Sequence, residues 1–236
     1  MPSLVALLAD LPLFEDIPPV DVARLAGAFS LRTYGRGEPM EDGRRTLILS
    51  DGAARLVRSG PQRRVLGTGL LGEGSVFGLR PFAGEAPPEA AEALSQCRVV
   101  AVASTDLERI AGAHPAVAAA LLQESAVRLA VTNDRLCELA FGSVPGRLAS
   151  VLLEIGERFG RMTPIGVRID LRLTHGQLAE LVPTTRETLT KVVGWLRGEG
   201  LVVMTRRDIR ILDPGGLSEV ARGERVMPGR GVRALV

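Results

Sequence analysis

From Leu31 to Val102 the apolar residues come in short runs broken by glycine, with no helical period. TLILSDGAARLVRSG reads as two strands about Asp51-Gly52, a common turn dipeptide, and CRVVAVAS further on is another β-branched run. Between them QRRVLGTGLLGEGSVFG places glycines every few residues. Many short strands with frequent turns predict a barrel or sandwich, not a parallel α/β sheet. The preceding VDVARLAGAF reads as a short helix packed on the edge of that structure.

Past Pro115 the pattern changes. AVAAALLQESAVRLAVTNDRLCELA contains neither Gly nor Pro and is rich in helix formers. Leu122, Leu129 and Leu136 recur every seven residues, with Ser125, Thr132 and Leu139 between them, which is an a/d seam over almost three heptads. The same spacing also serves an amphipathic helix packed on its own domain. After Phe141-Gly142, VPGRLASVLLEIGERFG reads as a helix buried through Leu148, Val151, Leu152 and Ile155, and VRIDLRL as a strand. Two more helices and two strands then follow within LTHGQLAELVPTTRETLTKVVGWLRGEGLVVMTRRDIRILD. Thr174-x-x-Gln177 and Thr184-x-x-Glu187 each fit a capping box, and Pro183 between them stops the first helix.

The second of these helices carries the most specific chemistry. Leu189, Val192, Val193 and Leu196 form its buried stripe, leaving Arg186, Glu187, Thr190, Lys191 and Gly194 opposite. An arginine matches the O6/N7 acceptors of guanine in the major groove, and a glutamate accepts from cytosine N4. Thr184, Thr185 and Thr188, at the positive end of the helix dipole, suit phosphate oxygens. For one helix alone, a solvated face with a Glu187–Lys191 pair is the simpler account. Here a helix and a short turn precede it, and a Gly-Glu-Gly-linked hairpin with Arg206, Arg207 and Arg210 follows. Helix, turn, helix and basic wing together point to double-stranded DNA.

Charge sharpens that reading. Residues 143–236 hold 15 Lys and Arg against 10 Asp and Glu, while the rest of the 236-residue chain is net acidic. A basic C-terminal part beside an acidic N-terminal part suits a polyanion partner for the former. With 46% hydrophobic and 24% charged residues, disorder over most of the length is excluded. No apolar run approaches the roughly 18 residues of a membrane span. The start MPSLVALLADLPLFED lacks the marks of a signal peptide, so a cytoplasmic protein is expected. Two cysteines and two histidines are too few for an iron–sulfur or His-rich zinc site. Cys97 and Cys137 read as buried spectators, with a redox pair as the alternative, and no metal is expected. No nucleophile, base and orienting group fall together, so no enzyme is expected. Gly67, Gly69 and Gly72 satisfy GxGxxG, but no helical period follows them, which excludes a dinucleotide site.

LTHGQLAELVPTTRETLTKVVGWLRGEGLV resembles the winged helix-turn-helix of the Crp/Fnr superfamily, the cyclic-AMP-receptor type of bacterial transcription regulators. LPLFEDIPPVDVARLAGAF resembles that family's N-terminal helices, GEGSVFG a turn of its β-roll, and LAFGSVPGRLASVLLEI its hinge and the helix beyond. The resemblance implies an α+β chain. Residues 1–112 would be a β-roll like the cyclic-nucleotide-binding jelly roll and residues 113–141 a dimerisation helix. Residues 142–221 would be the winged helix-turn-helix and residues 222–236 a basic tail. It implies a homodimer paired through Leu122, Ser125, Leu129, Thr132 and Leu136 on a two-fold symmetric site, recruiting or blocking RNA polymerase. Arg186 and Glu187 would read bases, and Lys191 a base or phosphate. Thr174, Thr185 and Thr188 would hold the backbone, with His175 where many relatives have a basic phosphate contact. The effector pocket would involve Gly78, Leu79, Arg80, Thr132 and Asn133. The family's cyclic-nucleotide cassette runs Phe-Gly-Glu and later Arg-Ser-Ala. Here Leu79 stands for the Glu and Pro87-Pro88 for the Arg-Ser, so cyclic AMP is not the expected effector and no cofactor is expected. The alternatives are a cyclic-nucleotide-dependent regulator of the same fold, and a sensor module that regulates a partner protein.

Overall fold

The computed structural model describes residues 3–40, 45–63, 65–79, 90–205 and 208–228. The chain divides into two compact units, Met1–Asp134 and Arg135–Val236.

The first unit opens with α1 (Leu4–Ala9) and α2 (Pro19–Leu25), joined by a 3-10 turn at Pro12–Phe14. Among the described residues eight strands follow: β1 (Phe29–Tyr34), β2 (Pro39–Met40), β3 (Arg45–Asp51), β4 (Ala54–Ser59), β5 (Val65–Leu71), β6 (Val76–Phe77), β7 (Ala90–Ala93) and β8 (Cys97–Ala103). They form two antiparallel sheets, ordered β1-β8-β3-β6 and β2-β7-β4-β5. The sandwich expected from the glycine-punctuated runs is therefore present.

Strand alternation explains why β3 and β8 are apolar throughout. Leu47, Leu49, Val99 and Ala101 face the inter-sheet core with Met40, Leu56, Leu71 and Phe77. Their neighbours Ile48, Val100 and Val102 belong to a second core with Leu8, Phe14, Val22, Phe29, Leu107 and Ile110. Residues one apart point to opposite faces, and both faces of this sheet are covered. The cover includes α3 (Ser104–Ala113) and the start of α4 (Pro115–Phe141).

The turn at Asp51-Gly52 does not close a hairpin, because β3 and β4 lie in different sheets. It carries the chain from one sheet to the other. Gly52 has φ +100°, and a Cβ there would lie 2.4 Å from the Gln96 carbonyl oxygen, so only glycine fits. Gly67 and Gly69 of the GxGxxG stretch lie inside β5 and Gly72 just beyond its end, and no helix begins within the motif.

The second unit contains the end of α4, then α5 (Val144–Phe159), β9 (Gly160–Thr163) and β10 (Gly166–Ile169). After these come α6 (His175–Leu181), α7 (Arg186–Gly198), β11 (Val202–Met204), β12 (Ile209–Ile211) and α8 (Pro214–Ala221). Ser143 caps α5 by accepting from the Gly146 N–H at 3.2 Å, and Leu148, Val151, Leu152 and Ile155 are buried as expected. Glu154 of α5 pairs with Arg135 of α4 at 2.6 Å.

Three details correct the sequence reading. The strand expected over VRIDLRL ends at Ile169 and pairs with β9, which was not foreseen, and the sheet order is β11-β12-β10-β9. Helix α8 was not foreseen either. It buries Leu217 and Val220, and Asp213 caps it by accepting from the Gly216 N–H at 2.9 Å. The start of the expected tail is tied to the domain, with Arg225 on Glu199 at 2.5 Å.

Candidate nucleic-acid interface

Two helix starts and the turn between them build the interface. At α6 the capping box is complete. Thr174 Oγ1 accepts from the Gln177 N–H at 3.1 Å, and Gln177 Oε1 accepts from the Thr174 N–H at 3.0 Å. The helix buries Leu178, Ala179 and Leu181 and stops before Pro183. The second cap is one residue later than expected. Thr185, not Thr184, is the N-cap of α7 (φ −84°, ψ 154°), and its Oγ1 accepts from the Thr188 N–H at 3.1 Å. Thr184 is drawn into the preceding turn, where its N–H donates to the Ala179 carbonyl at 3.3 Å. The box with Glu187 at its third position therefore does not form.

Helix α7 buries Leu189, Val192, Val193 and Leu196 and exposes Arg186, Glu187, Thr190, Lys191 and Gly194, as the periodicity requires. No Glu187–Lys191 ion pair is present among the described residues. The Glu187 carboxylate instead accepts from its own backbone N–H and from the Thr185 hydroxyl, and these bonds hold its pKa below the usual carboxylate range. Glu187 thus remains an acceptor at any pH near neutral. The side chains of Arg186 and Lys191 form no hydrogen bond or ion pair among the described residues, so both cations face solvent. Thr188 is half-buried, its hydroxyl 3.0 Å from that of Thr185. His175, at the first position of α6, reaches across to α7, with Nδ1 3.1 Å from Thr190 Oγ1.

Of the expected wing cations, Arg206 and Arg207 lie outside the described residues. Arg210 is paired with Asp208 at 2.6 Å, and Arg168 shares that carboxylate at 3.2 Å. One residue that the sequence reading missed helps to fix the turn. Arg147 of α5 donates to the Gly142 carbonyl at 2.7 Å and, at 3.5 Å, to the Pro183 carbonyl.

The residues expected around an effector lie in the first unit. Gly78 has φ +76°, and a Cβ there would come within 2.7 Å of the Arg45 carbonyl oxygen, which holds the position to glycine. Leu79 packs against the outer core and lines a cavity of about 260 Å³ with Ala111, Ala118, Leu121, Leu122 and Ser125. Among the described residues no charged side chain lines it. Thr132 and Asn133 are exposed on α4, and the Thr132 hydroxyl donates to the Arg128 carbonyl of its own helix at 2.8 Å. Arg80, like Pro87-Pro88, lies outside the described residues. A second residue missed in the sequence is Arg128. Its guanidinium donates from α4 to the Val76 carbonyl of β6 and pairs with Glu124 at 3.4 Å.

On α4 itself Leu122, Leu129 and Leu136 are 72%, 62% and 63% exposed. The two hydroxyls between them are turned back onto the helix, Ser125 donating to the Leu121 carbonyl at 2.8 Å.

Comparison with known proteins follows the same division. The Crp-like helix-turn-helix domain matches residues 146–220, from the first turn of α5 into α8. The Global nitrogen regulator of Synechocystis sp. is 31% identical over 186 residues, 78% of this chain and 81% of that one. The chain belongs to the Crp/Fnr superfamily of transcription regulators. A CRP-like cAMP-activated global transcriptional regulator of Mycobacterium tuberculosis is 29% identical over 209 residues, 84% of this chain and 93% of that one. In the solved structure of a CRP/FNR family transcriptional regulator from Thermus thermophilus the likeness has a TM-score of 0.70 at 27% identity, over 82% of this chain and 98% of that chain. As a member of the Crp/Fnr superfamily, the chain is a DNA-binding transcription regulator. Among its described residues no helix is long and apolar enough to cross a membrane, and no group of three or more His, Cys, Asp or Glu could hold a metal ion.

Proposed function

We propose that this Crp/Fnr regulator is a cytoplasmic homodimer that reads a two-fold symmetric DNA site with α7, acts on RNA polymerase, and does so without cyclic AMP. The observation that carries the DNA assignment is the exposed face of α7. Two solvent-facing cations, Arg186 and Lys191, and a carboxylate kept ionised at Glu187 stand on one helix whose start is fixed by Thr185. Arg186 takes a guanine edge and Glu187 a cytosine N4 amine. Lys191 takes a base or a phosphate, and Thr190 lies among the base-reading residues. Thr174, His175, Thr184, Thr185 and Thr188 line the phosphate side, and Arg206 and Arg207, which lie outside the described residues, are assigned phosphate contacts as well. Paired through α4, two copies would set their α7 helices in successive major grooves about 34 Å apart. In this reading residues 1–112 are the sensor-like roll, 113–141 the dimer helix, 142–221 the DNA-binding domain and 222–236 a basic tail.

Two features support independence from cyclic AMP. Leu79 presents an apolar side chain where the family's cassette has a carboxylate, and among the described residues no charged side chain lines the cavity beside it, so the ribose contact of a cyclic nucleotide lacks its partner there. Arg128 already ties α4 to β6 through the Val76 carbonyl, a bond between helix and roll that uses no ligand. The roll then serves as a scaffold for the dimer, or senses a molecule other than cyclic AMP.

The test is selection from a random duplex pool by purified, nucleotide-free protein, followed by mobility shifts at two salt concentrations. A two-fold symmetric site bound without nucleotide, and more weakly as salt rises, is expected. Binding that appears only after cyclic AMP is added would identify the cyclic-nucleotide-dependent alternative. Absence of any duplex binding would favour a sensor module acting on a partner protein.

A further inference from the structure

Thr190 stands in the middle of the exposed face of α7, and its hydroxyl is already engaged twice. Oγ1 lies 2.8 Å from the Arg186 carbonyl oxygen and 3.1 Å from His175 Nδ1. A threonine hydroxyl has one proton, and a carbonyl can only accept. The closer contact takes the proton, so His175 must donate to Thr190 from Nδ1–H. That donor is present in the neutral Nδ1–H tautomer and in the protonated ring alike. The hydroxyl is therefore held between two helices and has no proton to offer a base. What an exposed Thr190 still presents is its methyl group, beside one acceptor lone pair of the oxygen. One turn further along the face, Gly194 has no side chain, and a Cβ built there would meet nothing within 4 Å, so the surface beside Thr190 is open.

The apolar feature of the major groove is the C5-methyl of thymine. We propose that Thr190 is a thymine-reading residue, and that His175 is the positioning residue that makes it one by holding the hydroxyl away from the bases. The proposal rests on the reading of α7 as the DNA-reading helix. Thr190 follows Arg186 by about one helical turn, ~5.4 Å along the axis. The thymine should then lie one or two base pairs from the pair that Arg186 reads, at about 3.4 Å per step.

The experiment starts from the duplex selected by the wild-type protein and replaces each thymine singly with deoxyuridine, which pairs alike but lacks the methyl. One position per half-site is expected to weaken binding about fourfold, the worth of one buried methyl at roughly 0.8 kcal/mol. Thr190→Ser keeps the hydroxyl and loses the methyl, so it should bind the two duplexes equally. Thr190→Val keeps a methyl and should retain the difference. His175→Ala should shrink the thymine-to-uracil ratio, and His175→Asn, which can donate from its δ amide, should restore it. The proposal is overturned if no uracil substitution weakens the wild type, if Thr190→Ser still discriminates, or if Thr190→Val does not. Failure to select any duplex would instead overturn the DNA-reading assignment, and this proposal with it.

Discussion

Leu129→Ala, set against Val127→Ala, tests the pairing of two copies through α4. Both side chains are apolar and well exposed, at 62% and 52%. They differ in position, since Leu129 falls on the seven-residue repeat with Leu122 and Leu136. Val127 is turned from it by about 200° at 3.6 residues per turn. In a paired helix Leu129 loses its exposed surface to the partner. Alanine removes three carbons, each worth about 0.8 kcal/mol when fully buried. Scaled by the exposed fraction, the loss is about 1.5 kcal/mol per protomer. In an isologous dimer the position occurs twice, giving ~3 kcal/mol, roughly a hundredfold in the dimerisation constant. Val127→Ala should leave that constant unchanged. Sedimentation equilibrium over a concentration series measures both variants, and circular dichroism checks that each monomer keeps its helix. Equal constants for the two variants, or an equal loss in both, would refute pairing through the heptad seam.

Two further predictions concern stability. Thr185→Ala removes the cap on the Thr188 N–H and should cost about 1 kcal/mol in urea unfolding, followed through Trp195, the chain's only tryptophan and a residue of α7. Thr184→Ala should cost clearly less, and the reverse order would return the cap to Thr184. Burial pushes the Cys97 thiol above its ordinary value of 9.0. The folded state then keeps that proton where the unfolded chain releases it. This contribution to stability is complete below the unfolded pKa and is lost as pH rises through the folded one. Urea midpoints should fall at alkaline pH less steeply for Cys97→Ala than for the wild type. Iodoacetamide should modify exposed Cys137 well before buried Cys97, and equal rates would contradict the burial.

Much of this architecture was legible because it rests on local rules. The stripe Leu189, Val192, Val193 and Leu196 fixes which side of α7 is buried, and so which residues remain to meet a ligand. The heptad leucines of α4 come from the same kind of periodicity, and they are well exposed, as the proposed pairing of two copies requires. What was missed depends on contacts far apart in the chain. Two adjacent threonines both fit a cap, and only the bond from the Thr184 N–H to the Ala179 carbonyl decides between them. Short apolar runs on either side of a turn dipeptide gave the strands around Asp51-Gly52, but such runs do not name a strand's partner, and β3 and β4 joined different sheets. Gly215-Gly216 hid α8, whose stability comes from packing on α5, where a Cβ at Gly146 would lie 3.4 Å from the Val220 carbonyl. Arg128 and Arg147 were overlooked because their partners, Val76 and Pro183, are distant in sequence. Their charge alone gave no sign of where each guanidinium would bond.

The most direct test of the central claim is the base preference of Arg186→Ala beside the wild type in the same nucleotide-free selection. Loss of a bidentate guanine contact should weaken binding by about 1–3 kcal/mol and relax the preference at one position per half-site, leaving the rest of the motif intact. An unchanged motif would contradict the account, because the exposed face of α7 would then not be what reads the DNA.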